Sequence, residues 1–249
     1  MLLRRVIEHV REQNWTAVGI DFAIVVIGVF VGIQVANWNE ARGERAREAV
    51  YLASLAQDVR SDIADIDEIV RVSTLRMSAL GYLLEQSTGA RLPTGFDSAR
   101  GRIEIEPSPA YAADDPNTIG IALFILTTLD GNRLAYDTMI NTGGIGIIRD
   151  DALVRTIQAY YSHVDKVRTF EAALEISRVK LVDAQQQAGL SPVDGMSAAQ
   201  MVSSFAADPA LLAAAKNYWL YTNRHLKLMR DLRAAAEQVV ADVGQGTAP

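Results

Sequence analysis

The chain has 249 residues, with 24 Lys and Arg against 30 Asp and Glu, a net charge of −6 and no cysteine. Its length admits one or two domains with an ample hydrophobic core. The missing thiols exclude disulfides, thiolate catalysis and cysteine-ligated metals, and an acidic balance without a basic face argues against a nucleic-acid partner.

Residues 1–15 read as a short basic leader carrying Arg4, Arg5 and Arg11. The stretch Ala17 to Trp38, AVGIDFAIVVIGVFVGIQVANW, then holds a single acid and a single glutamine. A transmembrane helix is predicted over residues 16–38. At about 1.5 Å per residue, Trp15 to Trp38 covers roughly 34 Å, against a hydrocarbon core about 30 Å thick. Trp15 and Trp38 then mark the two membrane interfaces, where indoles are favoured. A cleaved signal peptide is the rival reading, and it needs small residues before the scissile bond. Gln34-Val35-Ala36 puts a bulky side chain there instead, so an uncleaved signal-anchor is expected. Arg42, Arg45 and Arg47 nearly balance the three leader arginines in the positive-inside comparison. The short basic leader tips the expectation towards a cytoplasmic N-terminus and a C-terminal domain on the other side.

Within the span, Asp21, Val25, Gly28, Gly32 and Ala36 fall on one stripe at 100° per residue, which Asn39 extends. Gly28 and Gly32 form a GxxxG spacing, which lets two helix backbones approach closely in lipid. This stripe is the candidate transmembrane interface, for association of the span with itself or with another membrane protein. Asp21 is the one ionisable group at that depth; it either serves such an assembly or reaches the headgroups about one turn away.

From Asn39 to Gln86 a helix is predicted, as part of a helical domain over 39–243. Leu52, Leu55, Val59, Ile63, Ile66, Val70, Ser73, Met77, Leu80 and Leu84 recur at heptad-like intervals, and Ile69, Val72, Leu75 and Leu83 widen the face. A wide apolar face suits a bundle better than an exposed two-stranded coiled coil. Asp58, Asp62 and Asp65 share a flanking face; it could attract a divalent cation, but a solvated face is the preferred reading. Residues 89–116 carry four prolines and three glycines and read as a long solvated loop with a short strand near Arg102 to Ile105. A buried helix over Asn117 to Thr128, capped by Asn117 or Thr118, and a helix within Gly131 to Thr142 follow. Ile145 to Ile148 reads as an extended link. Asp150 is expected to cap a long helix from Asp151 to about Ala188. After a break at Gly189 to Gly195, a short helix near Ser197 to Ala206 and a final one from Pro209 to Val243 complete the set, with 244–249 as a tail. The fold class is therefore all-α: one transmembrane helix, then a bundle of long antiparallel helices with a long Pro/Gly loop.

Four blocks of this sequence resemble a family of uncharacterised single-span bacterial membrane proteins. They are Asn37-Trp38-Asn39-Glu40, the Leu52, Leu55, Asp58, Val59 pattern, the Thr142 to Ile148 segment, and the acid-led helix from Asp150 to the paired Tyr160 and Tyr161. Asp21 stands where that family usually has glutamate, and Thr142 where it has serine. The resemblance implies a bacterial inner membrane location, and it assigns no activity.

Chemistry-bearing motifs are sparse. His9, His163 and His225 lack a second ligand at metal-like spacing. His163 lies on a face that reads as solvated, and Asp114-Asp115 and Asp150-Asp151 read as loop and cap acids. Nucleophile-elbow, P-loop, zincin and dinucleotide fingerprints do not occur. No enzyme, metal or cofactor is expected. The function expected is a membrane-anchored interaction or scaffold protein, partnered by the lipid bilayer and by itself or another membrane protein. The alternative is an accessory ligand-binding sensory module that signals through a membrane partner.

Overall fold

The computed structural model describes residues 15–99, 101–112, 118–191 and 194–246. The leader arginines, His9, Asn117, Asp114-Asp115 and Pro192 lie outside them, and for Trp15 only the backbone is described. The described residues form α1 Trp15–Thr88, β1 Gly95–Ser98, β2 Gly101–Glu104, α2 Thr118–Phe124, α3 Leu134–Asn141, α4 Asp151–Gln187, α5 Ala198–Ala207 and α6 Pro209–Gly246. The fold is all-α, with one small hairpin among the described residues. Its chain divides into two compact units, Met1–Val50 and Tyr51–Pro249.

In the first unit, every residue of α1 from 19 to 40 is exposed. No residue of its most apolar window is buried, and α1 is long and apolar enough to cross a membrane.

The second unit owes its order to two apolar clusters stacked along one bundle. The first joins Leu52 to Ile69 of α1, Leu153 to Val167 of α4 and Met229 to Val243 of α6. The second joins Met77 to Leu84, Leu174 to Leu181 and Leu211 to Trp219 of the same helices. So α1 and α4 run from the first cluster to the second, and α6 runs back. The connection from 89 to 150 also runs back. Its Ile105, Ile119, Ala122 and Leu123 belong to the second cluster, and its Leu129, Met139 and Ile148 to the first. It is the bundle's fourth leg, built from a hairpin, short helices and the irregular chain between them.

That corrects the reading of 89–116 as a solvated loop. Ile105 is buried, with Leu92 and Tyr111 against the second cluster. Asn223 Nδ2 donates to the Glu106 carbonyl at 2.8 Å, and Trp219 Nε1 donates to Ser108 Oγ at 2.9 Å. The hairpin lies where a strand was expected, pairing Gly95↔Glu104 and Phe96↔Ile103.

The helix ends have local causes. Asp150 Oδ1 accepts from the Ala152 and Leu153 amides at 2.8 and 3.2 Å, which caps α4 as expected. At its far end Gly189 adopts φ 71°. The Leu190 N–H reaches Gln185 O and the Gly189 N–H reaches Gln186 O, a Schellman ending that glycine accommodates without Cβ strain. Ser197 and Gln200 form a capping box on α5. α2 stops at Phe124, short of the expected Thr128. The carbonyls of its last residue and of the next one have other donors: Arg178 Nη1 donates to Phe124 O at 3.2 Å and Arg76 Nη2 to Ile125 O at 2.8 Å. Ile145 to Ile148 is not an extended link; Gly144–Ile147 is a 3-10 turn entered through Gly143 at φ 71°.

Candidate functional site

Asp21, Val25, Gly28, Gly32 and Ala36 are all exposed on α1, as is Trp38. A Cβ added at Gly28 or Gly32 would meet nothing within 4 Å. Arg42 places its guanidinium 5.7 Å from the Trp38 ring centroid, a cation–π contact. Ile20, Phe22, Ile24, Val25, Ile27, Phe30 and their neighbours are each about half exposed or more. Apolar side chains all round a helix leave no face for water. This stretch is a candidate membrane span.

Of the three acids read as a solvated face, Asp65 is exposed, but Asp58 and Asp62 are engaged by the bundle. Asp62 is 1 % exposed. Its Oδ1 accepts from the Asn132 N–H at 2.7 Å and its Oδ2 from the Tyr160 hydroxyl at 2.6 Å. Asp58 accepts from Asn132 Nδ2 at 3.0 Å and from the Ala135 N–H at 2.9 Å. Arg133, the residue before α3, makes no side-chain cap, so Asp58 on α1 caps α3 from across the bundle. Burial pushes the Asp62 carboxyl above the usual carboxylate range, against the pull of the Asn132 and Tyr160 hydrogen bonds; Asp65 and Asp58 add to the rise. Among the described residues no group of three or more His, Asp or Glu is placed to hold a metal. Beside this cluster Arg133 lies over the Tyr136 and Tyr161 rings and pairs with Asp165 at 2.7 Å.

Between the two apolar clusters lies a buried polar layer. His225 Nε2 is 3.0 Å from Glu171 Oε1, and its Nδ1 is 3.4 Å from Ser73 Oγ. Glu171 also accepts from the Leu129 N–H at 3.0 Å. A carboxylate only accepts, so the Nε2 that faces it serves as the donor, and Nδ1 faces the Ser73 hydroxyl. All four legs are thereby tied at one level. The trio has the outline of a Ser–His–acid array, but Ser73 and His225 are 0 % exposed and Glu171 5 %. A hydroxyl that deep in close-packed helices offers no approach to an acyl substrate, so the array works as a cross-tie.

Nearby, Arg76 is fully buried. Its Nε and Nη2 donate to Ile125 O, while Nη1 has no partner. Its guanidinium sits 5.6 Å from the Tyr218 ring centroid. Burial holds the Arg76 pKa below its ordinary value, and burial pushes the Tyr218 hydroxyl up to about 12 against the opposing pull of Arg76 and Arg178. The Ser177, Tyr218 and Thr222 hydroxyls are likewise buried without partners.

Sequence reasoning placed Ser73 in the apolar stripe and passed over Arg76, Glu171 and His225 as site residues. The available signal was a polar residue recurring at core positions of three helices. His163 is exposed, as expected.

One protein family matches the chain, over residues 21–92: a family of unknown function, DUF6090. The match spans most of the apolar stretch and the first bundle helix, under a third of the chain, and stops before the Thr142 to Ile148 block. No curated protein and no solved structure matches.

Proposed function

We propose that this protein is a membrane-anchored helical interaction protein, a scaffold whose single span associates with itself or with another membrane protein. The observation that carries the reading is the helix segment from 19 to 40, apolar all round and exposed throughout. Such a surface costs about 25 cal/mol per Å2 in water and nothing in hydrocarbon. Asp21, Val25, Gly28, Gly32 and Ala36 form its contact stripe, with Trp15 and Trp38 as interface anchors. The leader faces the cytoplasm of a bacterium, and the bundle stands on the outer side of the inner membrane. No catalytic activity is assigned.

The test is photocrosslinking in native membranes from a probe at Val25, read by mass spectrometry. Crosslinks to itself mark a homo-oligomeric anchor, and crosslinks to one other membrane protein mark an accessory subunit. In a membrane dimerisation assay Gly28→Leu and Asp21→Asn weaken association of the span, and Gln34→Leu does not. Equal association of all four sequences would sink the stripe.

A second reading, the accessory ligand-binding sensory module, is favoured by one feature of the bundle: a cavity of about 550 Å3 between α1, the returning connection and α6.

A further inference from the structure

That cavity falls in the roughly 300–1,000 Å3 range of small-molecule sites. Tyr82 of α1, Tyr111 of the returning connection and Trp219 of α6 line it. The two tyrosine rings stand 5.4 Å apart between centroids, with planes inclined by 38°. The indole is held by its hydrogen bond to Ser108. Two side chains of opposite charge, Glu85 and Arg91, share the lining. Glu85 accepts from the Leu92 N–H at 3.0 Å through Oε1, which positions the carboxylate and leaves Oε2 for a ligand. Among the described residues, Arg91 has no ion-pair or hydrogen-bond partner.

We infer that this cavity binds a small zwitterion with a substituted ammonium group, an amino acid or a betaine. Aromatic faces attract an ammonium through their ring quadrupoles, most strongly when it is desolvated. Glu85 adds an anionic acceptor beside them. Arg91 presents the planar fork that suits a carboxylate. The wall is pre-formed, which lowers the ordering cost of binding. Pro107 and Pro109 fix φ on either side of Ser108. Ser108 in turn lies so close to α1 that a Cβ added at Gly81 would clash with the Ser108 side chain. The inference supplies a ligand class to the sensory reading and stands apart from the anchor.

The experiment uses the full chain in detergent micelles with Trp15→Phe and Trp38→Phe, so that Trp219 is the only indole. Glycine betaine, L-proline and choline are titrated while its fluorescence is followed. Betaine or proline is expected to give a saturable change. Glu85→Gln, which keeps an acceptor for the Leu92 amide, weakens it about tenfold or more. Arg91→Ala lowers the zwitterion to the affinity of choline, which lacks the carboxylate. Circular dichroism establishes that each variant is folded. No saturation with either zwitterion, or titrations indifferent to Glu85→Gln, overturns the site. Crosslinking from Val25 is blind to this cavity, so failure here and failure of the anchor remain distinguishable.

Discussion

The two stretches of α1 from 19 to 40 and from 52 to 84 share a backbone and a richness in aliphatic side chains, yet they meet their surroundings in opposite ways. In the first, apolar residues occupy every direction and all are exposed. In the second, Leu55, Val59, Ile66, Leu80 and Leu84 are buried to 0 % exposure while Arg60, Asp65 and Asp67 between them stay in water. The difference lies in angular distribution rather than in hydrophobicity. A one-sided stripe is matched by protein, and all-round apolarity is matched only by an apolar solvent. Glycines repeat the contrast. Gly28 and Gly32 face open space, whereas the space above Gly81 is filled by Ser108.

The sharpest way to break this comparison is the same truncation in both stretches. Leu80→Ala leaves a cavity in the second cluster and should lower bundle stability by about 2–5 kcal/mol, read as a fall in the urea midpoint of the helical signal. Ile27, 61 % exposed, should tolerate alanine with no change in that midpoint. A matching loss at Ile27 would mean that the first stretch is part of the bundle's core. Next in size comes the glycine pair. Gly81→Ala forces Ser108 off α1 and should cost about 1–3 kcal/mol, while Gly28→Ala should leave the bundle unchanged. An unaffected Gly81→Ala protein would show that the connection does not pack on α1 as described.

Much of this fold was legible because the long helices obey simple periodicity and end at recognisable caps: Asp150, Ser197 and the glycine at 189 all act as their residue types suggest. The fourth leg was not legible. Its prolines and glycines read as a solvated loop, and only tertiary partners reveal that Ile105, Ser108 and Tyr111 are held by α1 and α6. The polar layer was hidden for a related reason. Ser73 and His225 are 152 residues apart in the chain and Glu171 and His225 are 54 apart, and no local spacing announces a contact between separate helices. The short reach of α2 has the same origin, since Arg76 and Arg178 take carbonyls that local propensity assigns to a longer helix.

The smallest expected effect separates the acids of α1. Asp62 is engulfed where periodicity placed it on a wet flank, and its carboxyl is raised above the ordinary range chiefly by burial. The folded state therefore holds this proton to higher pH than the unfolded chain, whose aspartates titrate near about 3.9. With more protons bound in the folded state, stability from this group falls as pH rises. Its contribution is fully present below the unfolded value and lost as pH passes through the raised folded value. Asp62→Asn keeps an acceptor for the Asn132 amide and a donor for the Tyr160 oxygen, and it cannot titrate. The stability of the wild type relative to this variant should therefore decline between acidic and neutral pH, by no more than the one-proton limit of about 1.4 kcal/mol per pH unit. Urea titrations of both proteins at several pH values measure it. Parallel curves would show that Asp62 titrates as a solvated flank residue does, and the contrast between the two faces of this helix would lose its electrostatic half.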